Sequence, residues 1–502
     1  VINWKIRYAT ILERYPELFH PERRILEVGS GNEGLARYVT RDVVGVDRVF
    51  AGSVNRHLAP VRGSVLGLPF ADGGFDDVLC VDTLEHLPRG DRLRAVRELL
   101  RVARKRVIIS GPAGAYAAWG DMAFLHEMSQ RRGSTPGWLQ EHVQHGIPSL
   151  PELLELLVAT ERVFTVQANE GVIQHYSGLF ADNHPFMAMF LEMHEEKFPL
   201  DAPLQRARGD APYSYLVTID TAARVAAPTE PPPQPEGAVP LPAQPGRTAL
   251  FAVGHRLDRM PEIRGVRRML AGAASHEAEL GPDMLRDDAG DTIADRNATF
   301  SEMTAIYSVW KNVTGLDCVG FCHYRRFFDF RQPAWPSPRE TRLRSPHEVQ
   351  SHEAHFVDRA VIDRVLKEGA IVVTRTTNER VANAEQYMMA HVADHYLAMV
   401  NYVLTHYRRL ARQVIAHVGD HGFCGNNMFV MRWSDFDRLC EFWFDCLFAL
   451  DREIGDKPEG YQHRVLAFLS ERIFDIHVRW LRDSGRRVLE YPLFFLEDPA
   501  FG

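Results

Sequence analysis

Six cysteines in 502 residues, Cys80, Cys318, Cys322, Cys424, Cys440 and Cys446, show neither the paired spacing of a zinc site nor the density of a disulfide framework. Most sit in apolar runs, where a thiol behaves as a small hydrophobe, so a reducing compartment is expected. No apolar run approaches the roughly 18 residues of a membrane span, and the opening VINWKIRYATILERYPELF is charged and amphipathic, unlike a signal sequence. Excess positive charge is missing too. A net charge of −8 argues against a surface built to coat nucleic acid. A cytoplasmic chain is expected, and with no initiator methionine, one whose start has been processed or trimmed.

Proline is abundant in one place. Eight prolines fall within residues 228–245, in APTEPPPQPEGAVPLPAQP. Proline lacks the amide donor and fixes φ, so this stretch excludes a helix or a central strand and reads as a semi-rigid spacer. It predicts a linker over 226–247 between a domain at 1–225 and another at 248–502, each long enough for its own α/β core.

In the first half, Arg24–Asp47 reads RILEVGSGNEGLARYVTRDVVGVD. The pattern predicts a buried strand, a glycine turn, a helix and a second strand ending on Asp47, which is half of a doubly wound sheet. Gly29, Gly31 and Gly34 form G-x-G-x-x-G, a turn that lets backbone approach a ligand, and Asp47 is placed to accept ribose hydroxyls. Glu27, two residues before Gly29, would repel a pyrophosphate but suits an ammonium group. Further strands are expected at 77–81 and 106–110, with a helix between them carrying Leu93, Val96, Leu99 and Leu100 on one face.

Together with LPF, FDDV, LEHLP and VIISGP, this segment resembles the class I S-adenosylmethionine-dependent methyltransferases of the small-molecule type, well over residues 20–115 and loosely beyond. The resemblance implies a Rossmann-like domain using S-adenosyl-L-methionine. Glu27, Gly29, Ser30, Gly31 and Gly34 would lie at the methionine end, Asp47 on the ribose, and Ser64 and Val65 by the adenine. The family often has Asp at the Ser64 position to take the adenine amino group, and serine here weakens that contact. Asp82 would line the pocket near the methyl group. Asp82, Glu85 and His86 would serve a divalent metal or deprotonate a substrate hydroxyl. Alternatively, Glu85 is a helix-face carboxylate and His86 packs on a loop. His86 is one candidate base. The others lie in Trp138–His142, with Glu141 and His142, and at His145, and they form a histidine-rich region with His126 and His175.

In the second half, TALFAVGH predicts a new buried strand, and Thr299 followed by Glu302 predicts a capped helix running to Asn312. A strand over Leu316–Cys322 would deliver His323, Tyr324, Arg325 and Arg326 at its tip, a set suited to a diphosphate because guanidinium forks match phosphate oxygens. GDTIADRN, SEMTAIYSVWKN, CVGFCHYRRFF, AHVADHY, NNMFVM and YQHRVLAFLSERIF resemble bacterial glycosyltransferase-like domains of capsule and exopolysaccharide clusters, over nearly all of 248–482. That resemblance implies a nucleotide-sugar transferase of the GT-A kind. Asp291, Asn297 and Glu302 would lie near the nucleotide or sugar, and His391 and Asp394 near the acceptor. Asn426 and Asn427 would bind sugar hydroxyls. Glu471 would be a base or sugar ligand, or else a salt-bridged helix carboxylate. Asp435 and Asp437, after Ser434, form a D-x-D that reads as a helix cap with acidic first-turn residues, not a metal site. Arginines would then replace the metal, which leaves metal dependence open.

The expected whole is an α/β protein of two domains: a bifunctional enzyme of bacterial surface-polysaccharide biosynthesis that transfers a sugar from a nucleotide-diphosphate donor and O-methylates the glycan. Its partners would be the nucleotide sugar and a glycan or lipid-linked glycan, with peripheral association to inner-membrane assembly machinery and no nucleic acid. Two alternatives stand beside this: a methyltransferase-like domain that only binds acceptor, or one that methylates a lipid or protein.

Overall fold

The computed structural model describes residues 2–132, 135–182, 211–225, 247–255, 261–275, 284–331 and 339–497. The expected proline-rich linker lies, apart from Arg247, outside them. The chain forms two compact units, Val1–Thr229 with Ala384–Ala411, and Glu230–Asn383 with Arg412–Gly502. Residues 384–411, expected in the second domain, therefore belong to the first.

The first unit is built on a seven-stranded sheet of β1 (Ile25–Val28), β2 (Val43–Asp47), β3 (Leu58–Arg62), β4 (Phe75–Val81), β5 (Ala103–Pro112), β6 (Arg162–Gly171) and β7 (Pro212–Arg224). The strand order is β3-β2-β1-β4-β5-β7-β6; β7 runs antiparallel to both β5 and β6, and the other pairs are parallel. All residues of β1 and β4 are buried, as expected for strands covered on both faces. The direction of winding reverses between β1 and β4, so the crevice at their carboxyl ends is where such a sheet takes a ligand. Among the described residues of its first stretch, the sheet is accompanied by helices α1 (Ile2–Arg14), α2 (Arg89–Val102), α3 (Ala115–Arg132), α4 (Gly137–His145), α5 (Leu150–Val158) and α6 (Val172–Asp182). The helix expected after the glycine turn is shortened to a 3₁₀ turn at Gly34–Arg37. Tyr8 and Ile11 of α1 pack with Ile25, Leu35, Val43 and Leu79 in one core cluster.

Strand β6 ends the sheet, and an edge strand leaves backbone groups unpaired. The helix Ala393–His406 supplies them. The Asn401 side-chain amide both donates to the Val166 carbonyl and accepts from the Val166 amide, each at 2.9 Å, and Asp394 accepts from the Ala168 amide at 3.0 Å.

The second unit has a mixed sheet in the order β10-β9-β8-β11-β15-β14-β16, from β8 (Thr248–Gly254), β9 (Val266–Leu270), β10 (Met284–Arg286), β11 (Cys318–His323), β14 (Ile371–Thr374), β15 (Phe429–Arg432) and β16 (Val488–Tyr491). Only β15 runs antiparallel to its neighbours. A smaller set, β12 (Arg326–Phe328), β17 (Leu493–Leu496) and β13 (Glu340–Leu343), joins through a hairpin between β11 and β12. The core includes Leu250, Cys318, Phe327, Val372 and Phe494. The Thr299–Glu302 capping box does not form. Thr299 donates to the Arg296 carbonyl, and the helix begins at Met303 with no side-chain cap. No described helix is long and apolar enough to cross a membrane.

Candidate functional sites

The glycine turn after β1 shows why three glycines stand there. A Cβ at Gly29 would collide with the Thr83 hydroxyl, and one at Gly34 with the Glu27 carboxylate. At Gly31, with φ of +54°, a Cβ would meet nothing within 4 Å. Gly29 and Gly34 thus serve protein packing, whereas Gly31 borders open space that a ligand can enter. The Gly31 amide donates to Asp47 Oδ2 at 2.9 Å and the Val49 amide to Oδ1 at 3.3 Å, which fixes the carboxylate at the end of β2. The Gly63 amide bonds the Asp47 carbonyl, bringing Ser64 and buried Val65 to the neighbouring strand end. Ser30 is buried and its hydroxyl donates to the Gly31 carbonyl, so it shapes the turn and does not face the crevice.

Glu27 differs from expectation in one respect. It is fully buried, and each oxygen already accepts a hydrogen bond at 2.6 Å, from the Tyr8 hydroxyl and from the Leu35 amide. Its direct role is to hold the turn and α1 together. Burial lifts its carboxyl from 4.5 to about 7, against the pull of both hydrogen bonds. Because the folded value lies above the unfolded one, Glu27 contributes stability that is complete below about 4.5 and lost as pH rises through about 7. The span is worth on the order of 3 kcal/mol. Wild type minus Glu27→Gln is therefore expected to fall in unfolding free energy as pH rises over that window. A difference that stays constant with pH in urea melts would contradict it.

Beyond β4, acids and imidazoles converge from four segments. Asp82, at φ +45°, pairs with Arg7 of α1, and so leaves the group it was expected to form with Glu85 and His86. Glu85 and His86 are joined instead by His142 of α4, with one ligand atom from each lying within 4.8 Å of the others. Glu85 is 2% exposed, and burial followed by the Asp82 charge pushes its carboxyl well above the usual range. His142 Nδ1 lies 2.6 Å from Asp121 Oδ2 on α3, and His86 Nδ1 lies 2.8 Å from Glu141 Oε2. Asp121 accepts from the His142 ring at Nδ1, whereas the His86–Glu141 approach is a close contact in which His86 Nδ1 makes no hydrogen bond. Asp121 also accepts from Tyr176 at 2.8 Å and Tyr213 at 3.2 Å. His175 is stacked on Tyr213 with Nδ1 at 3.0 Å from Glu170, and burial drives its pKa down to about 3, which keeps it neutral. His126 is exposed and His145 partly so.

In the second unit the loop ahead of β15 gathers residues from four segments. Asn426 and Asn427 both have positive φ, +70° and +49°, a backbone that asparagine tolerates but that is seldom used twice in succession. Two carboxylates one turn apart on the helix Val465–Asp483 hold this loop: Glu471 accepts the Asn426 amide at 3.0 Å and Asp475 the Cys424 amide at 2.8 Å. His323 Nε2 meets the Asn426 carbonyl, and the Asn427 side chain donates to Glu302 at 2.9 Å and Ser470 at 2.8 Å. His323, Glu302, Asn426, Asn427 and Glu471 thus form one cluster at the end of β11. Glu471 also pairs with Arg472.

The remaining expected residues are placed as follows. Tyr324 and Arg325 form the hairpin turn after His323, and Arg326 opens β12 with its guanidinium over Phe495 and 4.0 Å from Glu340. Arg325 Nε is buried without a hydrogen-bond partner, and its guanidinium also lies over Phe495. If this hairpin holds a diphosphate, Arg325→Ala is expected to weaken nucleoside diphosphate binding about 10- to 100-fold, and Arg326→Ala, at an arginine already beside Glu340, less. Equal effects by calorimetry would contradict this. Asp291 is occupied by Tyr307 and the Asn312 turn, and Asn297 by Ser301 and Thr304. His391 packs on Tyr387 and Asp394 binds β6, so both expected acceptor residues lie in the first unit. Asp435 and Asp437 do not cap their helix. Asp435 is ion-paired with Arg486 and Arg438, and Asp437 accepts from the Trp310 indole.

Residues 26–110 match the family model described as a methyltransferase domain. The first unit carries a methyltransferase domain. Residues 249–482 match a domain of unknown function, DUF4422. No curated protein matches the chain. Among solved structures, the WbbM bifunctional glycosyltransferase is 23% identical, with a TM-score of 0.46 over 50% of this chain and 46% of its own. Magnesium protoporphyrin IX methyltransferase from Synechocystis, with bound SAH, is 13% identical, with a TM-score of 0.26 over 43% of this chain and 84% of its own. Geranyl diphosphate methyltransferase in complex with SAM is 16% identical, with a TM-score of 0.26 over 43% of this chain and 85% of its own. The chain spans less than half the length of the first of these. The assignment rests on the domain match.

Within the methyltransferase domain, the residues that sequence reasoning missed are Arg7, Tyr8, Asp121, Glu170 and Tyr213. They come from α1, α3 and the β6–β7 edge, far from the glycine motif in the chain, and carry no local signature.

Proposed function

We propose that the chain is a bifunctional enzyme of bacterial surface-polysaccharide biosynthesis. Its first unit methylates a hydroxyl of a glycan or its sugar with S-adenosyl-L-methionine, and its second transfers a sugar from a nucleotide-diphosphate donor to a glycan or lipid-linked glycan. The observation that carries the reading is the open face at Gly31, beside a fixed Asp47, in a matched methyltransferase domain whose β4 end bears a buried acid and imidazole set. The cofactor supplies an electrophilic methyl on a sulfonium. The chain's work is to hold the acceptor oxygen in line with it and to exclude water.

In the second unit, the cluster around Asn426 and Asn427 supports recognition of sugar hydroxyls, and Arg325 supports charge neutralisation at a departing diphosphate. Because Asp435 and Asp437 are occupied by protein partners, the reading does not draw on a D-x-D metal. This reading places the reactions in the cytoplasm, with a lipid-linked acceptor presented at the inner membrane.

The test incubates the full chain with methyl-labelled S-adenosylmethionine, a panel of nucleotide sugars and oligosaccharide or lipid-linked acceptors. Methyl label in the glycan that has received the sugar is expected. Sugar transfer with no methyl label, although S-adenosylmethionine binds, would favour a silent binding module. Label on protein or lipid alone would favour the other alternative.

A further inference from the structure

The geometry points to a divalent transition-metal site in the first unit, with Glu85, His86 and His142 as its protein ligands. Four observations converge on it. First, the ligand atoms of the three side chains lie within 4.8 Å of one another, and Glu85 Oε1 lies 3.9 Å from His142 Nε2. With metal–ligand bonds of about 2.1 Å, two donors on one ion stand roughly 3 to 4 Å apart, so sub-ångström shifts close the set.

Second, one imidazole is held in the manner of a metal-binding histidine: His142 Nδ1 is hydrogen-bonded to Asp121, which leaves its Nε2 toward Glu85, and His86 Nδ1 is buried without a hydrogen-bond partner, 2.8 Å from Glu141. The rings lie 4.8 Å apart, tilted at 49°. Third, Glu85 is 98% buried by its 2% exposure, and its Oε1 has no hydrogen-bond partner. A buried carboxylate oxygen is costly unless a cation or donor meets it, and no arginine or lysine is ion-paired to Glu85 among the described residues. Fourth, Asp82 is ion-paired with Arg7 and stands outside the ligand set, so the three donors are not engaged by that arginine.

Two imidazoles and one carboxylate favour Mn²⁺, Fe²⁺, Co²⁺ or Zn²⁺ over Mg²⁺ or Ca²⁺, which prefer all-oxygen shells. The positions left open would take water and the acceptor hydroxyl. The role of the ion rests on the methyl-transfer reading: bound to the ion, the hydroxyl loses its proton to water, its oxygen attacks the methyl carbon, and the carbon–sulfur bond breaks with its electron pair going to sulfur. The imidazoles then act as ligands and not as the base.

The test titrates chelator-treated full chain with Co²⁺, followed by visible d–d absorption, with S-adenosylmethionine titrated by calorimetry on the same samples. One equivalent of Co²⁺ is expected. Binding should weaken about 100-fold or more in Glu85→Gln and His142→Gln, and about 10- to 100-fold in Asp121→Asn, which reaches the site only through the His142 ring. Glu85→Gln removes a buried carboxylate, so it should melt no lower than wild type and remain a valid probe. Absence of Co²⁺ binding in wild type that binds S-adenosylmethionine would overturn the site and leave the methyl-transfer reading intact, as would Co²⁺ binding unchanged in all three variants. Stoichiometric Co²⁺ binding lost in these variants, in a chain that does not bind S-adenosylmethionine, would uphold the site and overturn that reading.

Discussion

A chain ending at Thr229 is expected to lose the cooperative unfolding transition of the first unit and to aggregate. The helix Ala393–His406 holds the edge strand β6 through Asn401 and Asp394, which satisfy the Val166 amide and carbonyl and the Ala168 amide. Each buried backbone group left without its partner costs about 1–3 kcal/mol. Tyr396, Leu397, Val400, Val403 and Leu404 of the same helix are buried, and losing the burial of each such side chain costs a further ~1.5–3 kcal/mol. The sum rivals the whole stability of a domain, about 5–15 kcal/mol. An uncovered edge strand is also a template for pairing with another chain. Asn401→Ala with Asp394→Ala in the full chain isolates the polar part, a loss of several kcal/mol in urea unfolding. A 1–229 fragment that melts cooperatively at the temperature of the intact first unit would contradict the account.

Glu471→Ala is expected to lower sugar transfer by about 100-fold or more, and Asp435→Ala to act on stability instead. Glu471 ties the Asn426 amide and Arg472 together beneath two consecutive residues at positive φ. Such strain, about 1–3 kcal/mol per residue, persists only where the surroundings hold it, so removing Glu471 lets the loop relax and displaces the groups proposed to meet sugar and diphosphate. Asp435 has the opposite character: it is 4% exposed and bound by Arg486 and Arg438, and alanine there leaves charge unpaired at a cost of about 3–5 kcal/mol. Nucleotide-sugar turnover and thermal melting of both variants separate the two effects. A folded but inactive Asp435→Ala, with a requirement for added Mn²⁺, would show that the D-x-D carries the donor.

The parts legible in the sequence were those set by local pattern. Short apolar runs mark β1, β2 and the end of β4, and glycines two and three apart mark a turn at Gly29–Gly34 that the structure forms with positive φ at each. Adjacent residues such as Glu85 and His86 are also readable, because a short turn keeps neighbours together. What stayed hidden depends on distant chain segments meeting. Nothing near Asp121 says that it will face His142, and nothing near Asn401 says that a helix numbered with the second half will finish the sheet of the first. The D-x-D shows the converse: its acidic first-turn pattern suggested capping, but arginines about 50 residues away and three residues away took Asp435. Glu27 was read as a ligand for an ammonium because its distance from Gly29 is visible, whereas Tyr8, which occupies it, is not.

The central claim, two donor sites on one chain, is tested most directly by calorimetric titration of the full chain with S-adenosylmethionine and, separately, with nucleoside diphosphates and their sugars. The account predicts one site for each class. Gly31→Val should abolish S-adenosylmethionine binding while sparing the nucleotide, because a branched side chain at positive φ would fill the open face of the turn. Arg325→Ala should do the reverse. S-adenosylmethionine affinity unchanged by Gly31→Val, or a folded chain that binds no nucleoside diphosphate or nucleotide sugar, would contradict it.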